Sequence, residues 1–124
     1  MHLYRTADES RDAGIAYHLT PEPVWEAQRA AGTYIPEPFE QDGFIHATNG
    51  LDTLLWVANE FYTSDTRPYR VLVLDVNKLS SPMRYDDEEQ KFPHIYGPLN
   101  TDAVTGELLV QRDADGRFTG FGES

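Results

Sequence analysis

Three of the four histidines stand inside apolar stretches: His18 in Ile15-Ala16-Tyr17-His18-Leu19, His46 in Gly43-Phe44-Ile45-His46, and His94 in Phe92-Pro93-His94-Ile95-Tyr96-Gly97. A histidine surrounded by core side chains is costly unless both ring nitrogens find partners. Three chemistries suit these residues. Each can be a half-buried ring bonded to backbone. Together they can line a cleft that takes an anionic or hydroxylated ligand, or they can ligate zinc with one position left to water. No cysteine is present, so there is no disulfide framework, no thiolate nucleophile and no sulfur-bound zinc.

Other chemistry is absent from the sequence. It carries no phosphate loop, no dinucleotide fingerprint and no His-Glu-x-x-His. None of the serines sits in a nucleophile elbow. Asp113-Ala114-Asp115-Gly116 resembles the start of a calcium loop but lacks the remaining ligand positions, and reads as a hairpin turn. The acidic run Asp86-Asp87-Glu88-Glu89 reads as a solvated loop, since like charges repel and prefer water. Trp25, Trp56 and Phe61 read as core.

The elements that must position the histidines follow from periodicity. Ile15–Leu19 alternates as a strand, and Thr20-Pro21 gives an N-cap and first position for a helix running to Gly32. Residues 34–39, with Pro36 and Pro38, are extended or turn-like and suited to a wall over a cleft. A second strand covers Gly43–Thr48. Leu51, Leu54, Leu55, Ala58, Phe61 and Tyr62 form the stripe of a helix from about Leu51 to Tyr62. Tyr69–Val76 is almost continuously apolar, so it is a central strand covered on both faces. Met83–Tyr85 is a short strand, and the chain ends in a hairpin of Gly106–Val110 with Phe118–Phe121. His18 and His46 are thereby expected at strand ends just before helix caps, where backbone amides gather.

The expected architecture is α+β: one domain with a curved or split, mixed or antiparallel sheet and two main helices, the second half lacking a helix long enough for a parallel crossover. Residues 1–13 are expected as a lead-in, with a single domain over 14–124 including the C-terminal hairpin. At 124 residues with 40% hydrophobic content, the chain can bury one substantial core. Twenty-one acidic against ten basic residues give a formal charge of −11, which opposes non-specific nucleic-acid binding and attachment to anionic lipid. No window approaches the ~18 apolar residues of a membrane span, and Met1–Thr6 has no secretory apolar region. The expectation is a cytoplasmic protein without membrane contact.

Tyr17-His18-Leu19-Thr20, Trp25, Gly43-Phe44-Ile45-His46, Asn59 to Tyr62, Val71 to Leu74 and Phe92-Pro93-His94-Ile95-Tyr96-Gly97-Pro98-Leu99 occur in this order. The series resembles the signatures of a bacterial family of small domain-of-unknown-function proteins, over roughly residues 14–110. That family is thought to resemble the ADP-ribosyltransferases in fold, particularly their histidine-rich branch. The resemblance implies NAD or a phosphorylated nucleotide as ligand, a transferase-like activity, and catalytic roles for His18, His46 and His94. His18 would hold a ribose, Phe92 or Tyr96 would stack on a base, and Thr20 or Thr48 would meet phosphate. No metal is assigned. The alternative is a small non-enzymatic binding or regulatory module whose histidines are structural.

Overall fold

The computed structural model describes residues 1–123. Its elements in chain order are α1 (Ala7–Asp12), β1 (Ile15–Pro21), α2 (Glu22–Glu26), β2 (Thr33–Tyr34), α3 (Phe39–Asp42), β3 (Ile45–His46), α4 (Leu51–Phe61), β4 (Tyr69–Asp75), β5 (Met83–Tyr85), β6 (Pro93–Ile95), β7 (Leu99–Asn100), β8 (Val104–Arg112) and β9 (Phe118–Gly122). The sheet is split into a four-stranded sheet in the order β1-β4-β8-β9, a three-stranded sheet in the order β3-β6-β5, and the pair β2-β7. Every named pairing is antiparallel. The α+β class and the split antiparallel sheet agree with the sequence reading.

β4 is central and buried on both faces, as its unbroken apolar run requires. Leu72 and Leu74 join Trp25, Tyr34, Ile45, Ile95 and Leu99 in one core layer. Val71 and Val73 join Tyr17, Leu19, Leu51, Leu54, Ala58 and Phe118 in the other. Alternation along β1 then sends His18 to the same face as Ala16, toward the short sheet, and Tyr17 and Leu19 toward α4. Among the described residues no helix is long and apolar enough to cross a membrane.

Several local expectations are corrected. Ala7–Asp12, expected as part of a lead-in, is a helix, because Thr6 and Glu9 form a reciprocal capping box that satisfies the Thr6 and Glu9 amides. The preceding segment is tied down too: Tyr4 and Arg5 carbonyls accept the Leu51 and Asp52 amides at the start of α4, each at 3.0 Å. Thr20 does not cap a helix. β1 continues to Pro21 because Thr20 and Pro21 still pair with Arg70 and Tyr69 of β4. Pro21 is the cap, and α2 has only five residues before the chain breaks into turns. The Gln28 side chain then bonds both the amide and the carbonyl of Ile35, each at 2.9 Å, which anchors the proline-containing segment. His18 consequently lies within β1 rather than at its end.

The second strand is also shorter than expected: β3 is only Ile45–His46, and Thr48 makes an isolated bridge to Tyr17. α4 buries Leu51, Leu54 and Ala58. Trp25 is in the core, but Trp56 and Phe61 are 55% and 68% exposed. Trp56 is two positions from Leu54 and so points away from the sheet, while Phe61 sits in the last helical turn.

Candidate functional site

The histidines of the two most distinctive motifs are direct neighbours across strands. In the β3-β6 ladder Ile45 pairs with Ile95 and His46 with His94. In the β5-β6 ladder Arg84 pairs with His94. The pleat therefore sends Ile45 and Ile95 inward to the core and lines up Arg84, His94 and His46 on the opposite face. The His46 and His94 ring centroids are 5.7 Å apart. Phe44 stacks on His94 at 3.9 Å between centroids and lies 4.6 Å from His46.

Each of these two rings is held by its own carboxylate. His46 Nε2 is 2.9 Å from Asp42 Oδ2 at the end of α3, and His94 Nδ1 is 2.9 Å from Asp86 Oδ2 just after β5. A carboxylate only accepts, so those nitrogens carry the protons. Among the described residues, nothing bonds the other two nitrogens, His46 Nδ1 and His94 Nε2. Asp86 also accepts the Tyr96 hydroxyl, and the Arg84 Nε–H at 2.7 Å. The Tyr96 hydroxyl and then the Arg84 guanidinium pull its pKa down to about 2. The first residue of the acidic run is thus the anchor of this cluster. The expectation of a purely solvated loop is corrected for Asp86 and for Asp87, which accepts the Lys91 and Phe92 amides at 2.8 and 3.2 Å.

His18 is different. It is 5% exposed, with Nδ1 2.6 Å from the His46 carbonyl and Nε2 2.9 Å from the Tyr34 hydroxyl. Burial pulls its pKa down to about 4, so the ring is neutral. The carbonyl can only accept, which places the proton on Nδ1 and makes Nε2 the acceptor of the Tyr34 proton. Thr20 Oγ1, 2.6 Å from the Tyr34 oxygen, completes the chain. Both His18 nitrogens are satisfied inside the protein, and its ring fixes the backbone of His46.

Two cavities meet at His46, Phe61 and Tyr62. The larger, about 610 Å³, is walled by Thr48, Trp56, Val57, Phe92 and His94, with Asp86 and Asp87 at its side. The smaller, about 260 Å³, is bounded by His18, Thr20, Pro36, Glu37, Phe44 and Arg67. Arg67 is held there by Asp65 at 2.7 Å and Glu37 at 2.9 Å.

The sequence-predicted residues divide accordingly. His46, His94, Thr48 and Phe92 line the larger cavity, and His18 and Thr20 the smaller. The Arg84 guanidinium lies 4.4 Å over one face of the Tyr96 ring, and Tyr96 lines neither of these two cavities. Among the described residues no three histidine, aspartate or glutamate side chains are grouped as metal ligands. Arg70 and Glu107 pair with each other at 3.1 Å and belong to a separate cavity beside Trp25. Asp42, Phe44, Arg84, Asp86 and Tyr34 complete the cluster without having been singled out as site residues. The signal for Asp42 was its place four residues before His46, and for Arg84 and Asp86 their places within and just after the short strand β5.

The fold and the site define a class: a small α+β protein with a split antiparallel sheet and a cross-strand histidine pair on the shorter part. The chain belongs to the family described as protein of unknown function, DUF952, which matches residues 19–107. That span contains His46 and His94 and begins one residue after His18. No curated protein matches the chain. Its fold is similar to the X-ray structure of protein CC0527 from Caulobacter crescentus, with 24% identity, a TM-score of 0.71, and 85% of this chain and 93% of that one covered. The solution NMR structure of CC0527 gives 25% identity, a TM-score of 0.66, and coverage of 83% and 90%.

Proposed function

We propose that this chain is a nucleotide-binding protein of ADP-ribosyltransferase type, holding NAD or a related phosphorylated nucleotide at the junction of the two cavities. The observation that carries the reading is the His46–His94 pair: two rings 5.7 Å apart, each oriented by its own aspartate, with the other nitrogen of each ring bonded to none of the described residues. Such a pair suits ribose hydroxyls, which both donate and accept. The larger cavity has the aromatic walls that a planar base requires. Arg67 supplies positive charge on the far side of His46, where a diphosphate would have to displace Glu37 or Asp65.

In this reading His46 and His94 touch the ligand, and Thr48 and Phe92 shape its seat. His18 is a positioning residue that acts through the His46 carbonyl, and Thr20 acts through Tyr34. The satisfied state of both His18 nitrogens favours this over direct contact with ribose.

Calorimetric titration with NAD, ADP-ribose and a 2′-phosphorylated oligonucleotide tests the proposal. At least one should bind saturably, and His46→Ala and His94→Ala should each weaken it roughly ten- to hundredfold, the loss of a hydrogen bond to a buried polar group. If none binds below millimolar concentration, the nucleotide reading falls and the chain is a binding module with structural histidines.

A further inference from the structure

The charges around the larger cavity are all of one sign. Asp86 and Asp87 line it, and no lysine or arginine does. Asp86 is compensated by Arg84. Asp87 has no ion-pair partner: its oxygens accept only backbone amides, and Lys91, four residues further on, pairs with Glu89 at 2.8 Å. Among the described residues no lysine or arginine stands within ion-pair distance of Asp87.

The same cavity also carries open aromatic faces. Trp56 and Phe61 are more than half exposed, although the rest of α4 packs its apolar residues inward. Their rings stand 6.3 Å apart at 86°, so the two faces look in different directions, and Phe92 lines the same cavity. Exposed aromatic faces in one cavity with a carboxylate that has no ion-pair partner attract a delocalised cation through the ring quadrupole and the charge together, and they disfavour phosphate. A neutral apolar ligand would use the walls but not Asp87.

We infer that the larger cavity selects a cationic planar ring, with Asp87 supplying the charge and Trp56, Phe61 and Phe92 the stacking surface. This rests on the nucleotide reading and deepens it. The cationic-ring end of a dinucleotide lies at Asp87, and the phosphates lie beyond His46 toward Arg67. It also fixes the polarity with which such a ligand crosses the cleft.

The discriminating pair of probes is 1-methylnicotinamide, a ring cation, and nicotinamide, its neutral counterpart of nearly the same shape. Binding is read by NMR from the Trp56 indole N–H and the Phe92 and His94 amides, with ADP-ribose as a third probe. The expected result is saturable binding of the cation at least tenfold tighter than the neutral ring. Asp87→Asn should remove that preference. Trp56→Leu, at an exposed position, should weaken the cation severalfold without affecting folding, so the idea stays testable if the Asp87 loop is disturbed. Equal affinity for the two rings overturns the inference and leaves the nucleotide reading intact, as does binding of ADP-ribose alone. Binding of the cation while NAD and ADP-ribose both fail upholds the inference and removes the nucleotide reading. Failure of all probes overturns both.

Discussion

The His18 ring donates from Nδ1 to the His46 carbonyl across 2.6 Å, joining the first strand of the large sheet to the first strand of the small one. This bond crosses the split in the sheet and fixes the backbone from which the His46 side chain projects. The buried histidine and the exposed one are therefore parts of one arrangement, one supporting and one presented.

That arrangement makes stability depend on pH. The folded-state pKa of His18 is lowered to about 4 by burial, against 6.5 for the free side chain. Between these values the unfolded chain binds more protons, so stability falls as pH drops from 6.5 toward 4 and is fully present above 6.5. A gap of this size corresponds to about 3 kcal/mol. Urea denaturation across pH 4 to 7.5 should show the slope, and His18→Gln should lower stability at neutral pH while flattening it. An unchanged slope in the variant would assign the dependence to other groups.

Tyr34→Phe tests the donor on the other side of the ring. Tyr34 is fully buried, and its hydroxyl serves both His18 and Thr20. Its loss leaves the Nε2 lone pair unsatisfied, at a cost of about 1–3 kcal/mol. The ¹⁵N shifts of His18 should report weakened bonding at Nε2 while the proton stays on Nδ1. A stability change below ~0.5 kcal/mol would mean that a water takes the place of the hydroxyl.

Gly50, the cap of α4, has φ +83°, and an added Cβ would stand 2.6 Å from both the Ala7 nitrogen and the Thr6 carbonyl carbon. Those backbone atoms cannot yield, because α1 is held by its capping box. Gly43 has nearly the same φ, +80°, but lies in the left-handed helical region with ψ 3°, against ψ 133° at Gly50, and has open space around it. Gly50→Ala should therefore cost about 3 kcal/mol or more, and Gly43→Ala only about 1 kcal/mol from the backbone conformation alone. Thermal denaturation of the two variants compares a crowded site with a glycine-only backbone against an open left-handed one. Equal losses would show that α1 does not press on α4.

Much of this was legible in the residues. The apolar run of β4 announces a strand covered on both sides, and the hairpin turn at Asp113 to Arg117 announces β8 and β9. The His46 and His94 motifs stand out by composition. Their pairing does not, because the register of two short strands separated by a helix and a central strand is set by the core contacts of Ile45 and Ile95. The capping box of α1 was written in Thr6 and Glu9, but a six-residue helix with polar flanks has no periodicity to confirm it. Trp56 and Phe61 follow helical spacing closely enough to pass for core, and only the helix's orientation on the sheet reveals that they face out.

Asn49 offers the most stringent test of how the N-terminal helix is bound to the site. The residue is fully buried between the histidine strand β3 and α4. Its Nδ2 donates to the Ile15 carbonyl at 2.9 Å and to Ser10 Oγ at 3.3 Å, and its Oδ1 accepts the Tyr85 hydroxyl at 2.7 Å. One amide thus connects α1, β1 and β5. Asn49→Asp keeps the shape and the bond to Tyr85 but sets a carboxylate oxygen against the Ile15 carbonyl, where both atoms can only accept. A buried acid in that position should have a raised pKa and bind its proton on folding. We expect Asn49→Asp to destabilise the protein by about 3 kcal/mol at neutral pH, in the range for a broken buried polar network. Part of the loss, measured against the unsubstituted protein, should return as pH falls through the raised pKa, when the protonated acid donates to Ile15. Urea titrations at pH 5 and pH 7.5 measure both effects. A destabilisation equal at the two pH values would place the lost energy in packing around Asn49 rather than in its hydrogen bonds.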